Sequence, residues 1–172
     1  MSINLINSIN GPVVTIKGPT DLTMQEMVYV GSKKLIGEVI SISSERTTIQ
    51  VYETTTGLRV GEEIIGTGAP LSATLGPGII SNIFDGIERP LQDIEKTDGA
   101  FIGTGSSIPS LDTERKWDVT IKVSVGDELK GGDIYATCPE TPLIEHRCMV
   151  PPNLSGRVSA VMTNGQYTVN DC

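Results

Sequence analysis

The sequence has 172 residues, of which 38% are hydrophobic and 20% charged, with 19 Gly and 10 Pro. This length is enough for one ordinary domain or two small ones with a buried core, and the Gly and Pro content favours turns over long helices. The formal net charge of -8 argues against nucleic acid or an anionic membrane surface as the main partner. No run of about 18 apolar residues occurs, so we expect no membrane-spanning helix.

The two ends of the sequence lead to expectations about its cellular context. The first ten residues contain neither a basic segment nor a continuous apolar run, so we expect no secretory signal. The three cysteines are therefore expected to be reduced thiols in a cytosolic compartment. Residues 165–169 predict a strand that enters a turn at Asn170 and Asp171 with nothing after it to pair with. We expect this sequence to be part of a longer protein or one product of a split gene.

Residues 1–70 are predicted to form a small β-barrel. Their apolar and β-branched runs are short and are separated by Gly, Pro and other turn residues every eight to twelve positions. The runs are residues 13–16, 27–30, 35–40, 47–53 and 64–65. Five or six such strands favour a closed barrel, because closure leaves no exposed edge strand.

Residues 71–110 are predicted to be a connector. Their apolar residues recur at helical spacing between Gly78 and Pro90, which predicts a short helix that Gly86 and Pro90 would end. These residues are Ile79, Ile80, Ile83, Phe84 and Ile87. The Gly- and Ser-rich residues 97–110 predict a loop.

Residues 111–172 are predicted to form a second small β module of the barrel-sandwich type. From Trp117 onward, Val119, Ile121 and Val123 alternate with polar residues, and residues 157–161 continue the β pattern. The predicted fold class is therefore mostly all-β, with two modules joined by a connector that contains a short helix.

Neither Gly-rich segment satisfies a nucleotide-binding motif. Gly76 and Gly78 precede the predicted helix, but the phosphate-loop pattern also needs Gly-Lys-Ser/Thr, which occurs nowhere in the sequence. Gly103 and Gly105 lack the third glycine of the dinucleotide pattern, since position 108 is Ile. We interpret both segments as structural turns and expect no nucleotide binding by this sequence alone.

The residues that could carry other chemistry also favour structural roles. Cys138, His146 and Cys148 do not have the spacing of a zinc site, and His146 is the only histidine available to a Ser or Cys nucleophile. The adjacent acids at 62–63 and 127–128 follow Val-Gly turns and are interpreted as solvated turn residues. We therefore predict no catalytic, nucleotide-binding or metal residue.

One stretch of the second module resembles lipoyl and biotinyl carrier domains. The resemblance lies in residues 125–134, 149–151 and 155–158, which have the Val-Gly-acid, Gly-acid-Ile and Pro…Gly phrasing of those carriers. Carriers of this type are modified on a Lys at a hairpin tip, and no Lys follows Lys130 here. The resemblance therefore implies the fold of these carriers but not their modification on Lys.

A second resemblance covers the sequence from about residue 5 to its last residue. It is carried by residues 8–14, 37–40, 48–57, 68–72, 75–80, 83–91, 116–117, 131–134 and 144–151. In this order, these segments make the sequence similar to the N-terminal part of the catalytic A subunit of V-type and archaeal-type rotary ATPases. The most specific of them is Thr-Ile-Gln-Val-Tyr-Glu-Thr-Thr-Thr-Gly at 48–57.

This resemblance implies a six-stranded barrel that helps form the crown of an A/B hexamer, followed by an outward bulge module. It also implies a parent protein that uses ATP with Mg²⁺ to move protons or sodium ions, or that makes ATP. The implied partners are the B subunit of the hexamer and, as further candidates, peripheral-stalk subunits, with no nucleic acid and no direct membrane contact. The implied location is cytoplasmic, peripheral to the membrane. The phosphate loop and catalytic Glu of the family lie beyond this sequence, so their roles transfer to no residue here.

Two questions stay open from the sequence. Asp85, Glu88 and Arg89 are candidates for fixing domain geometry by ion pairing, or they are surface charges worth about 0–1 kcal/mol. The alternative to a non-catalytic ATPase fragment is a stand-alone barrel-sandwich module that binds a protein partner without catalysis.

Overall fold

The chain divides into two compact units. The computed structural model describes residues 4–80, 82–99, 103, 105 and 108–171. One unit, here the barrel unit, contains Met1–Ala73 and Phe84–Ile108, and the other, the sandwich unit, contains Thr74–Ile83 and Pro109–Cys172. Residues 71–110, predicted to be a connector, thus supply segments to both units.

The barrel unit contains one sheet of short antiparallel strands. The strands are β1 Asn4–Leu5, β2 Ser8–Asn10, β3 Val13–Lys17, β4 Glu26–Val30, β5 Leu35–Ile42, β6 Arg46–Val51 and β7 Glu63–Pro70. Within the described residues their order is β1-β7-β4-β5-β6-β3-β2, and each neighbouring pair is antiparallel. The predicted all-β class is confirmed.

The two outer strands of this sheet are halves of a single segment, residues 4–10. Its first half pairs with β7 and its second half with β3. Between the halves, the amide of Ile6 donates to the carbonyl of Glu62 at 2.9 Å, and that of Asn7 donates to the carbonyl of Thr15 at 2.7 Å. The segment changes partner in mid-course and so closes the sheet on itself. Counted as one strand, it makes a six-stranded barrel.

The barrel core follows from alternating burial along several strands, most regularly β4 and the first half of β5. In β4, Val28 and Val30 are fully buried while Met27 and Tyr29 are half-buried, as expected for a pleated strand with one face inward. The buried apolar cluster is Ile6, Val14, Ile16, Leu22, Val28, Val30, Leu35, Val39, Ile49, Val51 and Ile64. Nine of the eleven are β-branched, the residue type that suits a pleated, packed surface.

The sandwich unit has two small sheets. Its strands are β8 Trp117–Ile121, β9 Glu128–Lys130, β10 Ile134–Pro139, β11 Glu145–Met149, β12 Ser155–Arg157 and β13 Gly165–Tyr167. In the described residues, four strands lie in the order β11-β10-β8-β13, and β12 pairs with β9. The β pattern predicted for residues 157–161 is regular strand only at Arg157.

The predicted helix over residues 79–87 is wrong. The helix of the described residues is α1, Leu91–Asp98, which follows Pro90 and ends before Gly99 at φ 80°. The spacing was misleading because the amides of Ile79, Asn82 and Glu88 donate to carbonyls three residues back, as in separate turns, and Glu88 has a φ of 62° that no α-helix accommodates. The fixed φ and missing N–H of Pro90 suit the start of a helix instead.

Some predictions concern positions outside the described residues. Of the predicted loop at 97–110, positions 100–102, 104, 106 and 107 are outside this range, and Thr97 belongs to α1. Cys172 is also outside it.

A buried carboxylate holds the end of β7 to the rest of the barrel. Glu26 is 4% exposed, and its Oε2 accepts hydrogen bonds from the amide of Thr23 at 2.7 Å and its hydroxyl at 3.0 Å. Its Oε1 accepts from the amide of Gly68 at 2.8 Å. Burial raises the pKa of Glu26, but the hydrogen bonds from Thr23 and Gly68 stabilise the ionised form and bring the pKa below its ordinary value.

Replacing this carboxylate is expected to change stability in a pH-dependent way. Because the pKa of Glu26 is lower in the folded state, its contribution is full above its unfolded pKa and is lost as the pH falls through the folded value. Glu26→Gln should lower the free energy of unfolding by about 1–3 kcal/mol at pH 7, because its amide group faces N–H donors. The loss should shrink towards pH 3. Urea unfolding at several pH values measures this, with the exposed Glu45→Gln as control. An equal loss at every pH would contradict the role of the charge.

Candidate functional site

A short loop between Phe84 and Pro90 is closed by hydrogen bonds from its own residues. Phe84 and Pro90 form an isolated antiparallel bridge. Between them, Oδ1 of Asp85 accepts from the amides of Ile87 at 3.1 Å and Arg89 at 2.9 Å. The amide of Asp85 also donates to the carbonyl of Arg89 at 3.1 Å. Asp85 thus supplies both backbone and side-chain contacts that define the loop.

Arg89 links this loop to the barrel through two ion pairs. Its Nε lies 2.8 Å from Oδ2 of Asp85, and its Nη1 lies 3.1 Å from Oε2 of Glu53, two residues beyond β6. Oε2 of Glu53 also accepts from the amide of Gly105 at 2.8 Å. The Arg89 and Glu53 side chains are only 12% and 8% exposed, so water weakens this pair less than a surface pair.

The pKa of Asp85 reflects these contacts. Burial raises the pKa of its carboxyl, but the amide and guanidinium of Arg89 and the amide of Ile87 outweigh burial and hold the pKa below its ordinary value. Asp85 therefore carries a negative charge that neutralises Arg89 at physiological pH. The arrangement is a structural anchor, because the oxygens named here already accept hydrogen bonds from the chain itself.

The structure brings two of the three predicted contact residues together. Asp85 and Arg89 pair directly, and Glu88 lies in the same loop in a left-handed backbone conformation. Whether they set the geometry between domains stays a prediction. Glu53 was missed, although it lies in segment 48–57, which carries the most specific part of the resemblance. Its position in that segment is the signal by which the sequence could have identified Glu53 as a candidate contact residue.

In the sandwich unit, the Gly-rich turn at 76–78 contacts a carboxylate. Oε1 of Glu140 accepts from the amides of Gly78 at 2.7 Å and Ile80 at 3.0 Å. These are the amides that a phosphate-binding interpretation would require, and the protein uses them internally. Nδ1 of His146 lies 3.5 Å from the other oxygen, Oε2, of the same carboxylate.

His146 also lines a cavity of about 450 Å³. Its lining includes Trp117, Cys138, His146 and Cys148. Cys138 and Cys148 carry no disulfide. Within the described residues, no group of three or more His, Cys, Asp or Glu could hold a metal ion.

A second, apolar cavity of about 480 Å³ lies among β8, β10 and residues 154–162 of the same unit.

The adjacent acids of the Val-Gly turns have structural contacts of their own. Glu62 accepts from the amides of Ser32 at 2.8 Å and Arg59 at 3.1 Å. Asp127 accepts from the amide of Ser124 at 2.8 Å. These carboxylates stabilise their turns by accepting hydrogen bonds from backbone N–H groups, as acidic side chains in turns commonly do.

In the described part of the chain, no helix has the length and apolar character needed to cross a membrane.

Family comparisons match both units. Residues 6–68 match the model of the ATP synthase alpha/beta family beta-barrel domain, and residues 108–172 match that of the ATP synthase alpha/beta subunit barrel-sandwich domain. Together these two regions take in most of the chain.

Curated relatives match nearly the whole chain. The V-type ATP synthase alpha chain 2 of Clostridium tetani is 50% identical over 98% of this chain, and the V-type ATP synthase alpha chain of Halothermothrix orenii is 51% identical over 94%. The A subunit of the A-type ATP synthase of Methanopyrus kandleri is 48% identical over 96%. The chain spans only 28%, 28% and 29% of these relatives' own lengths, respectively.

The resemblance drawn from the sequence motifs is thereby confirmed. A barrel closed by segment 4–10, a second β unit and two family models in the corresponding order agree with one another. The chain belongs to the ATP synthase alpha/beta family and corresponds to the N-terminal region of the A subunits of V-type and A-type ATP synthases.

Proposed function

We propose that this chain is a non-catalytic assembly portion of the A subunit of a V/A-type ATP synthase or ATPase. The observation that carries the proposal is the family match of both units over one continuous part of much longer relatives. The longer protein would bind ATP with Mg²⁺ outside this region and couple it to proton or sodium-ion movement. It would act on the cytoplasmic side, peripheral to the membrane.

In this proposal the barrel unit makes the contacts with B subunits in an A/B ring. Closure of the barrel pairs the sheet edges, so a neighbour would have to bind through side chains and not by adding a strand. Apolar side chains are available for this on the barrel surface: Met24 is 54% exposed and Val60 is 64% exposed. Exposed apolar side chains of this size are common in protein interfaces. Peripheral-stalk subunits are further candidate partners.

The Glu53–Arg89–Asp85 cluster would fix the loop between Phe84 and Pro90 rigidly to the barrel. The cluster attaches the loop before α1 to the end of β6 and holds Gly105 to the same carboxylate. A rigid collar of this kind allows more distant domains to move while the ring stays closed. This role is local to the barrel unit and needs no nucleotide.

Binding to a matching B subunit tests the assembly role. We expect this chain to bind the B subunit of the same organism with micromolar or tighter affinity, measured by calorimetry, with no effect of ATP and Mg²⁺. Val60→Asp should weaken binding about tenfold, because it places a charge on the proposed contact. Leu143→Asp in the sandwich unit, where Leu143 is 96% exposed, is the matched control and should have little effect.

The outcomes separate the candidate functions. ATP-dependent binding would contradict a non-catalytic role and indicate a nucleotide site in this chain. A dissociation constant for the B subunit in the millimolar range or weaker would favour the alternative, a barrel-sandwich module that binds a different protein.

The ion-pair anchor should contribute measurably to stability. Arg89→Met should lower the free energy of unfolding by about 3 kcal/mol, because it leaves Glu53 and Asp85 with no guanidinium partner in a mostly buried site. Lys96→Met is the control, since the Lys96–Asp93 pair is 73% and 45% exposed and should be worth under about 0.5 kcal/mol. Urea unfolding of both variants gives the comparison. Equal effects would show that the Arg89 cluster behaves as an ordinary surface pair.

A further inference from the structure

We propose that Glu140 and His146 form a pH-dependent latch that holds the segment Thr74–Ile83 more firmly in the sandwich unit when His146 is protonated. The latch is separate from the assembly role. It consists of contacts inside one unit and does not depend on a partner or a nucleotide.

The latch begins with the burial of Glu140. This residue follows β10 at the start of the turn into β11, and its side chain is 1% exposed. Oε1 accepts from Gly78 and Ile80, which are 62 and 60 residues away in the sequence. These two hydrogen bonds connect Gly78 and Ile80, which lie outside the strands and the helix, directly to the β10–β11 hairpin.

The second oxygen of Glu140 depends on His146. Among the described residues, Oε2 of Glu140 is buried and has no hydrogen-bond partner, and Nδ1 of His146 lies 3.5 Å away. A neutral imidazole with its proton on Nδ1 offers only a weak, uncharged donor to the buried carboxylate at this distance. A protonated imidazole supplies an opposite charge and an N–H donor, which strengthen and shorten such a contact.

Histidine is the side chain that ordinarily changes charge between pH 5 and 8. His146 is the only one in the sequence, and its side chain is 22% exposed, so protons from solvent can reach it. Protonation lowers the cost of keeping Glu140 ionised and buried. The carboxylate can then hold Gly78 and Ile80 more tightly, so the segment is held best on the acidic side of neutrality.

The other groups that line the cavity beside His146 belong to residue types that ordinarily keep one charge state between pH 5 and 8. Besides His146, the cavity lining contributes Arg147 and Cys148 from β11, Tyr135 and Cys138 from β10, and Tyr167 from β13. Arginine stays charged, and thiols and phenols ordinarily lose their protons above pH 8. Thr74, Leu75, Gly76 and Pro77, which line the cavity from the latched segment, have no titratable side chain. No Asp or Glu lies in the described lining of the cavity.

Amide hydrogen exchange of the 172-residue chain tests the latch directly. Exchange of the Gly78 and Ile80 amides is measured by NMR at pH 5.5 and 7.5 and divided by the intrinsic rate at each pH. We expect protection about threefold to tenfold higher at pH 5.5. His146→Gln, which stays neutral, should abolish the pH difference. Glu140→Gln, which keeps an acceptor oxygen but no charge, should abolish it as well.

Two other amides provide internal controls. Ser32 donates to Glu62 and Gly68 donates to Glu26, and neither of these contacts involves a histidine. Their protection should change by less than twofold over the same range. The proposal is wrong if Gly78 and Ile80 are equally protected at both pH values. It is also wrong if His146→Gln keeps the wild-type difference. Should that variant not fold, an unchanged pH difference in Glu140→Gln overturns the proposal equally.

Discussion

Buried carboxylates that accept backbone N–H groups hold the irregular segments of this chain in place. In three cases the donor is a distant glycine with a positive φ, an arrangement that lets the backbone amide approach the carboxylate without a side chain. The pairs are Glu26 with Gly68, Glu53 with Gly105 and Glu140 with Gly78, separated by 42, 52 and 62 residues, respectively. Charge-assisted hydrogen bonds are stronger than neutral ones. Gly68 lies where the register of β4 and β7 shifts, and Gly78 and Gly105 lie outside the strands.

The strands could be predicted because their signal is local. Alternation of apolar and polar residues around Val28, Val39 and Ile49 follows from the pleat alone. The carboxylates could not be found this way, because an acidic residue in a Gly-rich stretch usually faces water. Glu53 contacts Arg89 and Gly105, which are 36 and 52 residues away. Glu140 contacts Gly78 and Ile80, which are 62 and 60 residues away. No pattern within one segment contains that information.

The helix prediction over 79–87 failed for a related reason. Apolar spacing reports which side chains share a face only if the backbone is helical. Gly86 disfavours a helix within this segment, and the left-handed Glu88 directly after it cannot continue one. The resemblance of segment 83–91 to the rotary ATPase family pointed to the right region without revealing its geometry. Asp85 and Arg89 are paired there by a tight turn, not by a helix face.

Closure of the barrel by residues 4–10 also affects how the chain can fold while the ribosome is still making it. Asn4 pairs with Ile64, so this residue cannot reach its final neighbour until some sixty more residues have been added. At ordinary synthesis rates this interval lasts roughly 3–12 s. During that time a nascent chain holds an incomplete sheet with open edges, the form most exposed to pairing with other chains. Residues 4–10 are therefore among the last residues of the barrel to be placed, and protection of the growing sheet against aggregation depends on how quickly β7 follows.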